Sequence, residues 1–440
     1  MKLFLIIFIF IFTNCSFDTK TGIWKNENNP KIKKESKFKD FKTIYVRQKT
    51  FDQIIEPPSK LIIEMNKVKK NFKWEEEFYN KTNNLENFSY TNSNEITFKS
   101  KKITRKGVND KIFFDGKNII LSDTKGTIIA YSLEKKKILY EYNFYKKRYK
   151  KFKKKLQIII ENNIIYVADN IGYFYAISYI DNKLLWAKDY KVPFRSNLKI
   201  YKDKIVLSDQ NNSIYVINKF NGETLKKIPT EEVTLKNEFI NSLALQDNVL
   251  IFLNTFGTIY SLNLDNLQIN WFLNLNKSPD LNLNNLFNSN PISIKNNKIL
   301  IPTDINLYVL DLNSGSTLSK APISTNIKPI LTGKGLFLIT KNNLLIFKDL
   351  ENHKIVYSID LDQKIAQFLN TKKSSIRIKN FYLVNSQLFI FLENSYLIKL
   401  NFKGKIIQIN KLPSKLGSLP IFIDNSILYL NKKANLIMLN

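Results

Sequence analysis

Between Asn118 and Asn440 one plan repeats, and that period restricts the fold more than any other property of the chain. In its clearest copy, Asn163 to Trp186, an apolar run passes through an Asp-x-x-Gly turn (Asp169 to Gly172) into the run Phe174 to Ile177. A second polar turn then leads to a run ending in Trp186. The plan recurs at Asn118 to Tyr140, Asp203 to Lys227, Asp247 to Trp271, Asn297 to Lys320, Lys334 to Tyr357 and Asn385 to Ile407, with a shortened eighth copy from Asn425 to Asn440. Anchored on the second position of the aromatic run, the copies fall at Ile129, Tyr175, Tyr215, Tyr260, Tyr308, Leu345, Ile398 and Ile437, 308 residues in seven steps and 44 per step. Four strands of about five residues with their turns fill about 40 to 45 residues, so each copy reads as one four-stranded antiparallel blade. The expected fold is all-β, an eight-bladed β-propeller, with seven blades as the alternative.

The turn chemistry agrees with this reading in the first half. Six residues before the anchor stand Asp123, Asp169, Asp209 and Asn254, and three before it stand Gly126, Gly172, Asn212 and Gly257. The first set supplies side-chain acceptors for a turn, the second a left-handed backbone position. Copies five to eight lose this spacing, so irregular turns are expected there. Eleven residues after the anchor come Tyr140, Trp186 and Trp271, large rings suited to filling the wedge between twisted sheets. The last copy lacks its outermost strand, and an open ring exposes strand edges. The expected remedy is an N-terminal strand, Phe72-Lys73-Trp74, pairing with the C-terminal blade, with Trp74 in the same blade position as Trp186 and Trp271. Glu75 to Ser100 then form an insertion ahead of the first full copy.

Upstream the chain changes character. Lys2 precedes the ten-residue apolar run Leu3 to Phe12, followed by Thr13, Asn14 and Cys15. Such a run is shorter than the about 20 residues that cross a bilayer and reads as the core of a signal peptide spanning 1–14. Cys15 is the only cysteine of the chain, so it forms no intramolecular disulfide. From 15 to 71 the composition turns to Lys, Asn, Glu and Pro, including Pro57-Pro58, which reads as a tether; the propeller is placed at 72–440. The formal charge is +30, but five of the 68 basic residues are Arg and the rest Lys. Lys is the weaker residue for bidentate recognition of phosphate or bases, and nucleic acid is not an expected partner. The densest basic stretch, Lys146 to Lys155, is open to two readings: a solvated interblade loop or a contact for anionic lipid headgroups.

The repeats resemble the PQQ-type propeller repeat, with Phe174-Tyr175-Ala176-Ile177 and Ile214-Tyr215-Val216-Ile217 in its third strand, Asn221-Gly222-Glu223-Thr224 in its turn, and Trp186 and Trp271 at its close. The start of the chain resembles a bacterial lipoprotein signal whose lipidated residue is Cys15, although Phe12 and Asn14 stand where that motif prefers Leu and a small residue. Signal, tether and eight repeats together are similar to the BamB family of outer-membrane assembly lipoproteins. The resemblance implies a non-enzymatic scaffold without cofactor, anchored at the periplasmic face of the outer membrane, with a periplasmic or inner-membrane-anchored location as the alternative. Its implied partners are a BamA-like barrel-assembly protein and unfolded outer-membrane proteins. The interblade loop that docks the barrel-assembly protein in that family corresponds to Val192-Pro193-Phe194-Arg195-Ser196, which makes Val192, Phe194 and Arg195 the candidate partner-binding residues. Shaping of an interblade loop by the same residues is the other reading. Glu238 is the nearest match to the family's accompanying acidic residues.

Two alternatives share the fold class: a propeller lipoprotein of unrelated binding function, and a quinoprotein dehydrogenase. Its usual vicinal disulfide has no counterpart in a chain with one Cys, and no acidic run shows calcium-loop spacing. His353 is the only histidine, which excludes His-dependent triads and multi-His zinc sites. No catalytic or metal-ligating residues are expected.

Overall fold

The computed structural model describes residues 15–17, 24–26, 50–145, 149, 151–232, 240–276 and 287–440. Two compact units separate at Gln48 and Lys49. In the first, Cys15–Phe17 pairs antiparallel with Trp24–Asn26. The second is the propeller. Its eight antiparallel sheets begin at Val108, Leu156, Lys199, Ser242, Ser293, Ile330, Ile378 and Ile421 and are called blades 1 to 8 in that order. Every anchor residue from Ile129 to Ile437 falls in the third strand of its blade. Among the described residues no helix is long and apolar enough to cross a membrane.

The strand patterns follow from blade stacking. Second and third strands are covered on both faces, so Asn118–Asp123 and Thr127–Ser132 are buried throughout and read as continuous runs rather than alternations. Fourth strands form the rim and are largely solvated, as in Thr224–Ile228. The expected turns form in the first four blades. Asp169 Oδ1 accepts backbone N–H groups from Ile171, Gly172 and Tyr173, and Asn254 Oδ1 those of Phe256 and Thr258. The second turn residue is left-handed at Gly126, Gly172, Asn212 and Gly257. The irregularity expected afterwards is confined to particular blades. The turn between paired strands is one residue shorter in blade 5 (Ile301 to Tyr308) and two shorter in blade 6 (Ile339 to Leu345) than in blade 1 (Leu121 to Ile129). Blade 8 recovers the full pattern, with Asn431 Oδ1 capping Lys433 and Asn435 and Ala434 left-handed.

Ring closure uses the N-terminal side of the chain, but through a different segment from the expected one. Ile96–Lys99 supplies the outermost strand of blade 8, pairing antiparallel with Leu436–Leu439. Trp74 instead bridges Phe114 on the inner strand of blade 1 and is 5% exposed. The reason is reach and polarity. Trp74 is followed by Glu75 to Glu77 and an asparagine-rich stretch whose carboxylates and amides find partners inside the ring, whereas Ile96–Lys99 is mostly exposed, as a rim strand must be.

The residues between these two points fill the axis. Starting at Trp74, the chain touches the inner region of successive blades in order. Glu75 accepts from Ile160 of blade 2, and Glu76 pairs with Lys199 of blade 3. Lys81 and Thr82 accept from Leu245 and Ile294 of blades 4 and 5. The Asn84 amide exchanges both its hydrogen bonds with the backbone of Leu331 in blade 6, Nδ2 donating at 3.0 Å and Oδ1 accepting at 2.9 Å, as a strand neighbour would. Asn87–Phe88 adds a short parallel strand to blade 7, and Thr91 donates to Asn425 of blade 8. Trp74, Tyr79 and Phe88 meet at centroid distances of 4.9 to 5.6 Å, and Phe88 stacks on Phe422 at 5.4 Å.

The stretch placed at the end of the tether also lies against the propeller. Phe51 donates to Pro322, Ile55 exchanges backbone hydrogen bonds with Ser358, and Leu61, Ile63 and Met65 pack on the core. Alternating apolar residues give this stretch a face to bury, which composition alone conceals.

Candidate interaction surface

The wedge aromatics act between blades. Trp186 of blade 2 donates its indole N–H to Lys219 O of blade 3 at 3.0 Å, and Trp271 of blade 4 donates to Leu312 O of blade 5 at 3.1 Å. Each ring lies on a left-handed glycine of the next blade: a Cβ on Gly222 or Gly315 would come within 2.5 Å or 2.6 Å of the indole. Gly222→Ala is therefore expected to destabilise the protein by about 1–3 kcal/mol, through the crowding cost of overpacking, measurable as a lower urea midpoint. Tyr140, 7% exposed, packs between blades 1 and 2 and stacks on Tyr142. The sequence reading missed a fourth member. Tyr357 of blade 6 occupies the same place and donates to Phe402 O of blade 7 at 2.6 Å; it stands twelve residues after its anchor Leu345 rather than eleven, and that shift hid the role.

The loop from 190 to 196 connects blade 2 to blade 3 and is fixed at nearly every residue. Tyr190 N–H donates to Gly172 O, Phe194 N–H to Asp169 O and Arg195 N–H to Ser208 O, while Pro193 O and Arg195 O accept from Gln210 and Asn241. Phe194 is 2% exposed and sits among Phe174, Tyr190 and Tyr215, at 5.2 to 6.1 Å. Its side chain is interblade core, which removes it from a docking surface: the Asp169 and Asp209 turns clamp the backbone on either side and turn the ring inward. Val192 and Arg195 remain partly exposed at the rim of the same loop. Glu238 lies outside the described residues. The acidic group found in this region is Glu231, which accepts from Asn254 Nδ2, Thr258 Oγ1 and the Tyr260 hydroxyl at 2.7 to 2.8 Å. Burial opposes its ionisation, but these donors prevail and hold the carboxyl below its usual range.

Residues 146–148 and 150 of the basic stretch lie outside the described residues. Of the rest, Lys154 is buried, its ammonium donating to the carbonyls of Tyr149 and Phe152, while Phe152 is 62% exposed.

On the axis, the carboxylates are already engaged by lysines. Glu76 pairs with Lys199 and Glu77 with Lys111. Among the described residues no group of three or more His, Cys, Asp or Glu is placed to hold a metal. These residues do not fit a calcium ion and a quinone: the carboxylates that would bind the cation face ammonium groups, and the axis is filled by Trp74, Tyr79 and Phe88.

Comparison with known proteins places this geometry. The family model described as outer membrane protein assembly factor BamB matches residues 150–359. An uncharacterized protein of Rickettsia conorii is 25% identical over 333 residues, 68% of this chain and 76% of that protein. Among solved structures, BamB from Moraxella catarrhalis superposes with a TM-score of 0.60 at 11% identity, over 79% of this chain and 99% of that one. A quinohemoprotein alcohol dehydrogenase from Pseudomonas putida HK5 gives 0.59 at 9% identity, over 84% and 80%. At these identities the structural likeness speaks for the fold, and both a BamB and a dehydrogenase share it.

Proposed function

Starting from an eight-bladed propeller of PQQ-type repeats, we propose that the protein is a non-enzymatic scaffold of the machinery that inserts β-barrel proteins into the outer membrane. In this reading Cys15 carries the lipid anchor and the propeller works at the periplasmic face. The carrying observation is the use of the axis. The place where a ring of blades offers a cofactor cavity is occupied by the chain's own Trp74 to Phe88 stretch. The match to the BamB family model over 150–359 includes the rigid loop at 190–196. A surface fixed by backbone hydrogen bonds before binding loses little entropy on docking.

Within that loop Val192 and Arg195 are the proposed contacts with a BamA-like barrel-assembly protein, and Phe194 is their internal support. Unfolded outer-membrane proteins are the further proposed partners, through pairing with rim strand edges. Fold by itself does not decide between scaffold and enzyme. The test is recovery of the barrel-assembly protein from detergent-solubilised envelope on the full chain and on Arg195→Glu. Recovery that falls at least tenfold in the variant supports the reading. Recovery in neither sample, or saturable binding of pyrroloquinoline quinone with dye reduction in the presence of calcium, would overturn it.

A further inference from the structure

A cleft of about 170 Å³ opens beside the filled axis, where blades 5 to 8 and blade 1 begin their inner strands. That volume is below the about 300–1,000 Å³ typical of sites that take a whole small ligand, and it suits the end of a longer ligand. Its walls are largely apolar, with Trp74, Ile112 and Tyr382 among them; its charged groups are Lys111, Lys328, Lys379 and Glu77, and the amides of Asn326 and Asn380 line it as well. Three ammonium groups thus face one lining carboxylate. Lys111 is paired with Glu77, and Lys379 donates to Gly417 O at 3.0 Å. Among the described residues Lys328 has no carboxylate partner; it donates to the carbonyls of Asn83 and Phe78 and lies 5.5 Å from the Phe78 ring centroid. An ammonium has three donors, so Lys379 and Lys328 keep capacity for an incoming anion. Burial, with repulsion from the Lys199 charge added to it, depresses Lys328 to about 7, in keeping with a cation that lacks its counter-ion.

Glu77 supplies the complementary observation. Its side chain is 3% exposed, Oε1 engages Lys111, and Oε2 is buried with no hydrogen-bond partner. A buried acceptor left unmade is costly, and this one belongs to a residue lining the cleft. A ligand that satisfies the site therefore carries three features together: an anionic end for Lys328 and Lys379, an apolar body for the walls, and an N–H donor for Glu77. We propose that the cleft binds the carboxyl terminus of an extended peptide with an apolar last side chain, the carboxylate on the lysines and a backbone N–H on Glu77 Oε2. This assignment rests on the cleft alone and holds whether or not the scaffold reading does.

The experiment uses the full chain and a dansylated Gly-Ser-Ala-Leu peptide, as free acid and as carboxyl-terminal amide, followed by fluorescence anisotropy. Saturable binding of the acid, at least tenfold weaker for the amide and for Lys379→Met, is expected. Glu77→Gln, with the fold verified by near-ultraviolet circular dichroism, is expected to weaken the acid as well while leaving binding of decanoate unchanged, because a fatty acid has no N–H for that oxygen. Equal affinity of acid and amide, or no binding of either, overturns the proposal. So does decanoate binding at least as tightly as the peptide with Glu77→Gln silent toward both, which would make the cleft a fatty-acid site.

Discussion

Replacing Lys199 by alanine is expected to lower the stability of the propeller by about 3–5 kcal/mol, because it leaves an uncompensated charge in the interior. Lys199 is 1% exposed on the inner strand of blade 3. Its ammonium donates to Glu76, to Asn80 O at 2.9 Å and to Asn83 Oδ1 at 2.7 Å. One side chain from the ring thereby fixes three residues of the axial segment, and Asn83 goes on to bind Leu243 O and Ile292 O of blades 4 and 5. Burial drives the lysine toward its neutral form, and Glu76 offsets that drive. Alanine removes all three hydrogen bonds together and leaves the Glu76 carboxylate without its counter-charge. The double variant Glu76→Leu with Lys199→Met removes both charges and is expected to recover more than half of the loss, since apolar replacement of a whole buried pair is often neutral. Urea unfolding followed by tryptophan fluorescence measures both. A loss below about 1 kcal/mol for Lys199→Ala, the range of exposed ion pairs, would mean that the axial segment is not held through blade 3.

This dependence marks the boundary of what the residues alone disclosed. The blade count was legible because the repeat imposes the same packing eight times, and the third-strand anchors needed no knowledge of neighbours to be found. The Asp and Gly turn positions were legible for a local reason: a side-chain acceptor and a left-handed residue act within one hairpin. Trp186 and Trp271 were recognisable because a ring of that size has few other uses at a blade edge. The axial segment has no such signature. Glu76, Asn83, Asn84 and Lys199 look like solvated residues until a ring surrounds them, and their partners lie up to 247 residues away. The same non-locality misdirected the closing strand. Trp74 matched the chemistry of a blade aromatic, but the strand edge it was assigned to is met by Ile96–Lys99. Phe194 was offered as a contact through the resemblance of its loop to a docking loop, with shaping of the loop as the other reading; the neighbouring turns that draw it inward become visible only when blades 2 and 3 are side by side.

The stability of the protein is expected to rise from pH 7 to pH 9 and to fall again above about pH 10. Two lysines carry the rise. Burial holds Lys328 at about 7 and Lys399 at about 8 in the folded chain, against about 10.4 for a lysine in an unfolded one. Lys399 donates to the side-chain oxygens of Asn92 and Asn94 and lies over the rings of Tyr90 and Phe389, so neither lysine has a carboxylate to retain its proton. Between the folded and unfolded values the unfolded chain binds more protons, and stability therefore increases with pH. Tyrosines carry the fall. Burial pushes Tyr90, Tyr140 and Tyr166 up to about 12, while unfolded tyrosine ionises near 10; above that pH the unfolded chain loses protons the folded chain keeps. The net charge of +30 also relaxes as pH rises, through weaker self-repulsion, so the wild-type profile needs a control. Lys328→Met and Lys399→Met should each flatten the rise between pH 7 and 9 in melting temperature, and an exposed substitution such as Lys334→Met should leave it intact. Parallel profiles for all three variants would assign the slope to overall charge and remove the two buried ammonium groups as its source.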